Sequence, residues 1–332
     1  MVGSAFGEKG LTKKHPCYII YSNVVYKKEK TLKRRVLIFL VFITAVALSS
    51  PIIYGVSTAE EQTQNPKPEM PDWLKRTNFA VEAGTNQKPK YFFETIQPLL
   101  GTQEKDVVFF NQSRISERES RPTYNLGLGL RKIFRDAYLL GINSFYDYQD
   151  LHKHSRGGVG FEAINDKGLE ARINTYIRIS NKRLVGENTA NEYYEKVANG
   201  LDWELGAPLP YLPLLKIYGG GNWYNFEHFK NKYGWKMRLE YTPIKYSRIN
   251  LEILNDTKRK NTDWRVEGAI TLAFTSFSLS DIIKDIKGSK SAYPKIDLRD
   301  KVLDRVVRDF DITVIKSTKI KATGLTIEGG RI

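Results

Sequence analysis

The sequence predicts an all-β fold, a twelve-stranded antiparallel transmembrane β-barrel followed by a C-terminal linker with a short helix in or below the pore. Three observations predict it: segments that alternate apolar and polar residues, connections that are alternately short and long, and abundant aromatic residues. The 332 residues include 19 Tyr, 16 Phe and 5 Trp. No run after residue 55 is apolar for long enough to form a helical membrane span.

Twelve segments have the length that a tilted membrane strand needs, and an even strand number is usual for single-chain bacterial barrels. The segments, which make up a predicted barrel over 75–275, are 75–84, 90–100, 105–113, 123–133, 137–148, 156–164, 168–178, 193–207, 214–226, 232–242, 247–256 and 263–275. The short connections are 101–104, 134–136, 165–167, 208–213 and 243–246. The alternate, generally longer ones are 85–89, 114–122, 149–155, 179–192, 227–231 and 257–262. This pattern is typical of periplasmic turns and extracellular loops.

Successive side chains of a strand point to opposite faces, so each strand divides into a lumen-facing and a lipid-facing set. The predicted lumen-facing residues are Gly127, Gly129, Arg131, Gly141, Asn143, Asp147, Gly160, Glu162, Arg172, Asn174, Arg178, Asp202, Glu204, Arg238, Glu240, Arg265 and Glu267. The predicted lipid-facing residues are Leu126, Leu128, Leu140, Ile142, Ile173, Ile177, Trp203, Trp235, Leu239, Ile270 and Leu272. The glycines leave room for something inside the barrel. The polar residues either line that space or hydrogen-bond across the barrel wall.

A soluble β-sandwich is the alternative fold, because its strands show the same alternation with the apolar face turned inward. Aromatic residues near the predicted strand ends, such as Tyr124, Trp223 and Trp264, favour the membrane barrel, where they form girdles at the two interfaces. Opposed charges in the middle of the polar faces also favour it, because they suit a wet lumen.

The N-terminal presequence, residues 1–59, predicts a secretory signal peptide. Basic residues at 27–35 precede an apolar stretch at 36–48 and a small-residue cleavage site. An uncleaved anchor helix is the alternative. Cys17 is the only cysteine, so the mature chain has none and cannot form disulfides. Export of a barrel predicts the bacterial outer membrane as its location, with residues 60–74 as a disordered periplasmic segment before the first strand.

Three blocks of sequence resemble the intimin/invasin family of inverse autotransporters, in its β-barrel translocator domain. In the first, residues 126–163, the motifs are Gly127-x-Gly129-x-Arg131, then Leu140-Gly141-x-Asn143-x-Phe145-x-Asp147, then Arg156, Gly160 and Glu162. The second is residues 194–213, with Ala198, Asn199, Gly200 and Asp202. The third, 303–317, resembles the linker after the barrel through Val306, Arg308 and Ile312. The resemblance covers roughly residues 73–317 and implies a barrel that anchors and translocates a C-terminal segment to the cell surface.

The resemblance also implies partners: outer-membrane lipid and lipopolysaccharide, the barrel-assembly machinery and periplasmic chaperones. The pattern Gly268-x-Ile270-x-Leu272-x-Phe274 is similar to the closing-strand signal that this machinery reads, but here it is internal. A linker at 276–317 and a short tail at 318–332 follow it. An even strand number returns the chain to the periplasmic side, so a surface-exposed tail has to pass back through the lumen.

The linker contains one predicted helix, residues 297–307, in which Leu298, Val302, Leu303 and Val306 have helical spacing. The helix either plugs the pore or lies on a surface. The long adhesive domains that usually follow this linker in the family do not appear before Ile332, so the passenger is expected to be missing or minimal. A pore or structural barrel without translocated cargo is the alternative function.

The sequence predicts no enzyme, no cofactor and no metal. His152, His154 and His228 lie in predicted loops without a persuasive serine partner. The pair His152-x-His154 can bind a metal, but two ligands in a polar loop more often mark an ordinary solvated loop. The net charge of +15 suits anionic lipid head groups or a solvated surface, and no compact basic patch with interleaved aromatics points to nucleic acid. The sequence leaves the oligomeric state open.

Overall fold

The computed structural model describes residues 71–101, 106–244, 246–272, 289–321 and 326–327. This part of the chain begins with one helical turn, α1 (Asp72–Lys75). The strands are β1 (Thr77–Gly84), β2 (Gln87–Leu100), β3 (Val107–Arg118), β4 (Arg121–Phe134), β5 (Tyr138–Gln149), β6 (His154–Asn165), β7 (Glu170–Arg178), β8 (Arg183–Glu187), β9 (Asn191–Val197), β10 (Asn199–Leu209), β11 (Leu212–Asn225), β12 (Lys232–Ile244), β13 (Ser247–Asp256), β14 (Asp263–Thr271), β15 (Val314–Ile320) and β16 (Thr326–Ile327). Between β14 and β15, Leu298–Lys301 forms a short 3-10 helix.

Twelve of the strands close into one antiparallel barrel, in the order β1-β14-β13-β12-β11-β10-β7-β6-β5-β4-β3-β2. The first and last barrel strands complete the ring through pairs such as Phe79 with Ile270. Closure leaves no unpaired sheet edge, which is what a sheet in hydrocarbon requires. The predicted twelve-stranded antiparallel barrel is therefore confirmed. No helix in the described ranges is long and apolar enough to cross a membrane.

The two ends of the barrel differ. We call the end with the β2–β3, β4–β5, β6–β7, β10–β11 and β12–β13 connections the turn end, and the other the loop end. At the loop end the β7–β10 connection contains β8 and β9, which form a second, four-stranded sheet with the C-terminal strands in the order β16-β15-β9-β8. The N-terminal α1 and the C-terminal end of β14 both lie at the turn end, because β1 and β14 are antiparallel neighbours.

The structure corrects four of the predicted boundaries. The segment 193–207 is not one strand, because residues 191–197 belong to β9 in the second sheet and β10 begins at Asn199. The predicted loops 85–89 and 114–122 shrink to two residues each, since the flanking strands extend further. The segment 60–74 is not wholly disordered, because α1 starts at Asp72. Residues 1–70, with the predicted signal peptide, lie outside the described residues, as does Phe274 of the closing-strand pattern.

The predicted linker helix is present in the lumen but is shorter than the predicted range of 297–307. Only Leu298–Lys301 is helical, and in the 3-10 form, capped by Asp297 whose carboxylate accepts a hydrogen bond from the Arg299 backbone N–H at 2.9 Å. After a last turn, in which the Asp304 N–H donates to the Lys301 carbonyl at 3.1 Å, the chain is not helical, and its backbone groups bond to lumen side chains such as Gln112.

The outer wall of the barrel is apolar and exposed. The predicted lipid-facing residues from Leu126 to Ile270 are exposed, except that Leu239 is only partly exposed. Leu272, just beyond the end of β14, is also partly exposed. The inward positions of the same strands are mostly buried. On β4, for example, Asn125, Gly127, Gly129 and Arg131 are buried between exposed Leu126, Leu128 and Leu130. This inside-out arrangement is that of a membrane barrel rather than a soluble sandwich.

Inward glycines make room for inward rings. A Cβ added to Gly129 would lie 2.2 Å from the Phe110 Cζ, and Phe110 is fully buried. We therefore expect Gly129→Ala to destabilise the barrel by about 1–3 kcal/mol, because the ring has no space into which to move. Gly219→Ala is the control, since a Cβ there meets nothing within 4 Å, and it should change stability by at most about 0.5 kcal/mol. Urea unfolding of the protein in detergent measures both, and equal effects would contradict the packing argument.

Candidate functional site

The lumen is occupied by the chain's own linker. At the turn end, the Tyr211 backbone bonds to Ser289 and Ala292, and the Ile296 N–H donates to the Asp166 carbonyl at 2.9 Å. At the loop end, the Ala198 N–H donates to the Thr313 carbonyl at 2.9 Å, and β15 then pairs with β9. The linker therefore enters the barrel at the turn end, crosses the lumen and leaves at the loop end.

One apolar cluster packs the linker into the lumen, from Leu298 at the turn end as far as Phe310. From the linker, the buried residues are Leu298, Val302, Leu303, Val306 and Phe310. They pack against inward apolar residues of the wall, which are Ile96, Val108, Phe110, Ile133, Leu139, Phe145 and Ile164. The linker residues whose spacing predicted a helix are therefore apolar for another reason: wall residues surround the linker in the lumen, so it buries apolar side chains on several sides.

Arg131 holds the linker backbone at the start of its crossing. Its Nε and Nη2 donate to the two carboxylate oxygens of Glu162, at 2.7 and 3.1 Å. Its Nη1 donates to the carbonyls of Val302, at 3.0 Å, and of Asp304. Arg131 is fully buried, so the paired Glu162 balances a charge that would otherwise be very costly there. Every residue has a backbone carbonyl, so this contact determines where the linker runs but does not require particular side chains at Val302 and Asp304.

Gln112 binds the linker backbone further along the chain, at Val306. Its side-chain oxygen accepts from the Val306 N–H at 2.7 Å, and its amide donates to the Val306 carbonyl at 3.3 Å and to Glu94 at 2.8 Å. On another barrel strand, β7, the Asn174 amide donates to the Val307 carbonyl at 3.2 Å and to Asp202 at 2.8 Å. Wall amides therefore satisfy the extended backbone that has no strand partner inside the lumen.

Arg308 and Asp147 form the central contact of the crossing. The two guanidinium nitrogens of Arg308 each lie 2.9 Å from a carboxylate oxygen of Asp147, which also accepts from Arg156 at 2.7 Å and Asn125 at 2.7 Å. Asp147 and Arg156 are fully buried. The Arg308 guanidinium also lies 4.4 Å from the ring centroid of Phe145. The planar, two-point geometry is the strongest kind of side-chain ion pair.

Near the loop end, the linker contacts become acidic. Asp309 accepts from the Tyr224 hydroxyl, and its backbone N–H donates to the Tyr176 hydroxyl at 2.8 Å. Asp311 pairs with Lys90 at 3.1 Å. A polar cavity of about 360 Å³ remains beside this part of the linker. The linker therefore fills the lumen tightly at the turn end and less tightly towards the loop end.

The predicted lumen residues fall into two groups. Arg131, Asp147, Asn174, Asp202 and Glu267 contact the linker directly, Glu267 through Arg305 at 3.5 Å. A second group forms ion pairs with other residues of the barrel. Glu204 accepts from Arg172 at 2.8 Å and from Arg238 at 2.6 Å, and Arg238 also donates to Glu240 at 2.7 Å. Arg265 pairs with Glu252, and Arg178 donates to Glu227 at 3.0 Å. Some of the predicted lumen residues therefore face the space that the linker occupies, and others hydrogen-bond to neighbouring residues of the wall.

The inward glycines lie where other groups come close. Gly141 adjoins Glu162, Gly127 adjoins the Phe145 ring, and Gly160 lies against Asn143 and Asn174. The linker residues Val306, Arg308 and Ile312 are all buried in the crossing. Sequence reasoning missed Gln112, Tyr176, Tyr224 and Lys90 as linker contacts. Their inward parity on the strands was the available signal, but parity alone does not tell which part of the wall the linker follows.

A closed barrel with an apolar exterior and a linker through its lumen defines a transmembrane β-barrel that surrounds its own C-terminal region. The model of the inverse autotransporter β-domain matches residues 55–309. The chain therefore belongs to this outer-membrane family, which is one of autotransporter β-domains rather than of enzymes.

The chain is similar to part of two larger proteins. The inverse autotransporter adhesin YeeJ of Escherichia coli K12 is 33% identical over 150 residues, which is 44% of this chain and 6% of YeeJ. Invasin of Yersinia enterocolitica is 28% identical over 175 residues, 48% of this chain and 20% of invasin. The chain thus matches only a small part of either relative. A solved membrane protein from a study of in-meso crystallisation has the same fold, with a TM-score of 0.58 and 20% identity over 73% of this chain and 99% of that one.

Proposed function

We propose that this protein anchors its own C-terminal segment in the outer membrane and carries it through the lumen to the cell surface. In this proposal the turn end faces the periplasm and the loop end faces outside, as is usual for such barrels. The observation that supports it is the path of the linker, which enters at the turn end and emerges to pair β15 with β9. Export by the presequence and insertion by the barrel-assembly machinery are parts of the same proposal.

The contacts in the lumen support a lasting anchor. The linker is held by backbone contacts from Arg131 and Gln112 and by the buried Arg308–Asp147 pair. After exit, β15 adds a strand to the β8–β9 hairpin, so seven residues pair in register from Val314 with Val197 to Ile320 with Asn191. A segment that follows β15 would remain attached to the cell by this hold.

Epitope tags after Ile332 and just before Asp72 test the topology. We expect an epitope placed after Ile332 to bind antibody on intact cells, because the linker leaves at the loop end. The same epitope placed just before Asp72 is the control, since α1 lies at the turn end, and it should bind only after the outer membrane is permeabilised. A C-terminal tag that also needs permeabilisation would contradict the proposal and favour a barrel without translocated cargo.

A further inference from the structure

A cluster of two histidines and one glutamate lies at the loop end, where β6 begins, and away from the linker's crossing. His152 Nδ1 is 2.7 Å from Glu195 Oε2, and His154 Nε2 is 3.0 Å from the same oxygen. One ligand atom of each residue lies within 4.8 Å of the other two. Two imidazole nitrogens and a carboxylate are donors that Zn²⁺ and related divalent transition ions prefer.

The cluster joins two parts of the chain that sequence spacing does not connect. His152 lies in the β5–β6 turn and His154 begins β6, with Lys153 between them at a φ of 55°. Glu195 comes from β9, 41 residues after His154. The β7–β8 connection bonds to the same turn region, because the Ile179 N–H donates to the Ser155 carbonyl at 3.0 Å. The fold therefore brings the third ligand to a pair that looks like an ordinary loop in the sequence.

The burial and charge of the cluster suit a metal. His154 is fully buried and Glu195 is 3% exposed, whereas His152 is partly exposed. The Nδ1 of His154 is buried with no hydrogen-bond partner in the described part of the chain, so the ring's polar contact is the one that Nε2 makes with Glu195. The Glu195 carboxylate brings a negative charge to this buried place, and a divalent cation would balance it.

Binding an ion requires the His152 ring to move. Ligand atoms about 2.0–2.1 Å from a tetrahedral ion lie roughly 3.3 Å from one another. The present nitrogen to oxygen distances of 2.7 and 3.0 Å are a few tenths of an ångström shorter. The two imidazole nitrogens lie within 4.8 Å of each other, so the partly exposed His152 ring would move towards His154 to close the site. The partial exposure of His152 leaves an open side on which water can complete the coordination.

We propose that His152, His154 and Glu195 bind one divalent transition ion of the Zn²⁺ type, which fastens β9 to the rim of the barrel. Because β9 is the strand that pairs with β15, the ion would stiffen the place where the linker leaves the lumen. The binding itself does not depend on the direction in which the linker is transported, so it can succeed or fail independently of the proposed function.

Cobalt titration tests the site directly. The full chain, purified in detergent with a histidine-free tag and stripped of metal with a chelator, is titrated with Co²⁺ and followed by visible absorption. We expect saturation at one ion per chain, and competition by Zn²⁺. Glu195→Gln and His152→Gln should each weaken binding at least about 100-fold, because losing a direct ligand costs more than losing a group that only supports one.

His228→Asn is the matched control, because it removes a loop-end histidine outside the cluster. Asparagine tolerates the φ of 69° at that position, so folding should be unaffected. Heat-modifiable gel mobility verifies that each variant is a folded barrel. No saturable Co²⁺ binding by the unaltered chain, or equal affinity in Glu195→Gln and His228→Asn, would overturn the site.

The mechanical part of the proposal has its own readout. Zn²⁺ should slow proteolytic cleavage within the β8–β9 hairpin at least several-fold in the unaltered chain and not in Glu195→Gln. Binding of the ion without any protection of the hairpin would show that it does not fasten β9 to the barrel.

Discussion

Replacing Asp147 with alanine is expected to destabilise the folded protein by about 3–5 kcal/mol, which is typical of breaking a buried ion pair from one side. Asp147 is fully buried and is the common partner of Arg308 at 2.9 Å and Arg156 at 2.7 Å. Its loss leaves two guanidinium groups in the lumen without their carboxylate. Urea unfolding in detergent, followed by heat-modifiable gel mobility, measures the change.

Two variants separate charge from general damage to the lumen. Asp147→Asn keeps a polar group of the same size and should have an intermediate effect. Asp136→Ala removes an aspartate that also pairs with a linker arginine, Arg299, at 2.9 Å, but this aspartate is 64% exposed. Its loss should change stability by no more than about 1 kcal/mol. If Asp147→Ala had an equally small effect, water in the lumen would be screening the arginines.

The barrel itself could be predicted because a membrane strand imposes a simple constraint. Leu126, Leu128 and Leu130 face outward, and the residues between them face the lumen, so the period of two is uninterrupted. Lipid on one side of the strand and the polar lumen on the other require this alternation along its whole length. The closing pattern at Gly268 and Ile270 follows the same rule on the outer face of β14.

Turns and strand ends were less predictable because some turns are formed by residue types that rarely occur there. Glu119 and Ser120 both have positive φ, 54° and 59°, in a two-residue turn that normally contains Asn-Gly. Without that motif, the sequence indicated a longer loop. The β9–β10 boundary was missed for a different reason, since only Ala198 separates the two strands.

The contents of the lumen could be predicted only in part. The inward glycines and Asp147 stood out, because missing side chains and an acidic residue within a strand are unusual. The conformation of the linker could not be read from Leu298, Val302 and Val306, whose spacing fits a helix, because the wall supplies backbone partners from Gln112 and Arg131 that the sequence does not link to them. Glu195 was missed for the same reason, since its contact with His154 arises only in the folded chain.

Removing the linker is expected to turn the protein into an open channel. A chain that stops after Asp297 loses Leu298, Val302 and Val306, which fill the turn-end part of the lumen, and loses Arg308, which pairs with Asp147. The exposed wall would keep charged groups such as Arg131 and Glu162, so water and ions should enter. We expect stable single-channel conductance in planar bilayers at least several-fold above that of the full chain.

A chain that stops after Lys321 is the control for this effect, because it keeps the whole crossing and the β9–β15 pairing. It should conduct no more than the full chain, so any increase in the shorter chain can be assigned to residues 298–321. Equal conductance of the two truncated chains would mean that the cavity of about 360 Å³ beside the linker already continues through the barrel. In that case the apolar packing at the turn end would not seal the lumen, and the linker would serve as an anchor without also acting as a plug.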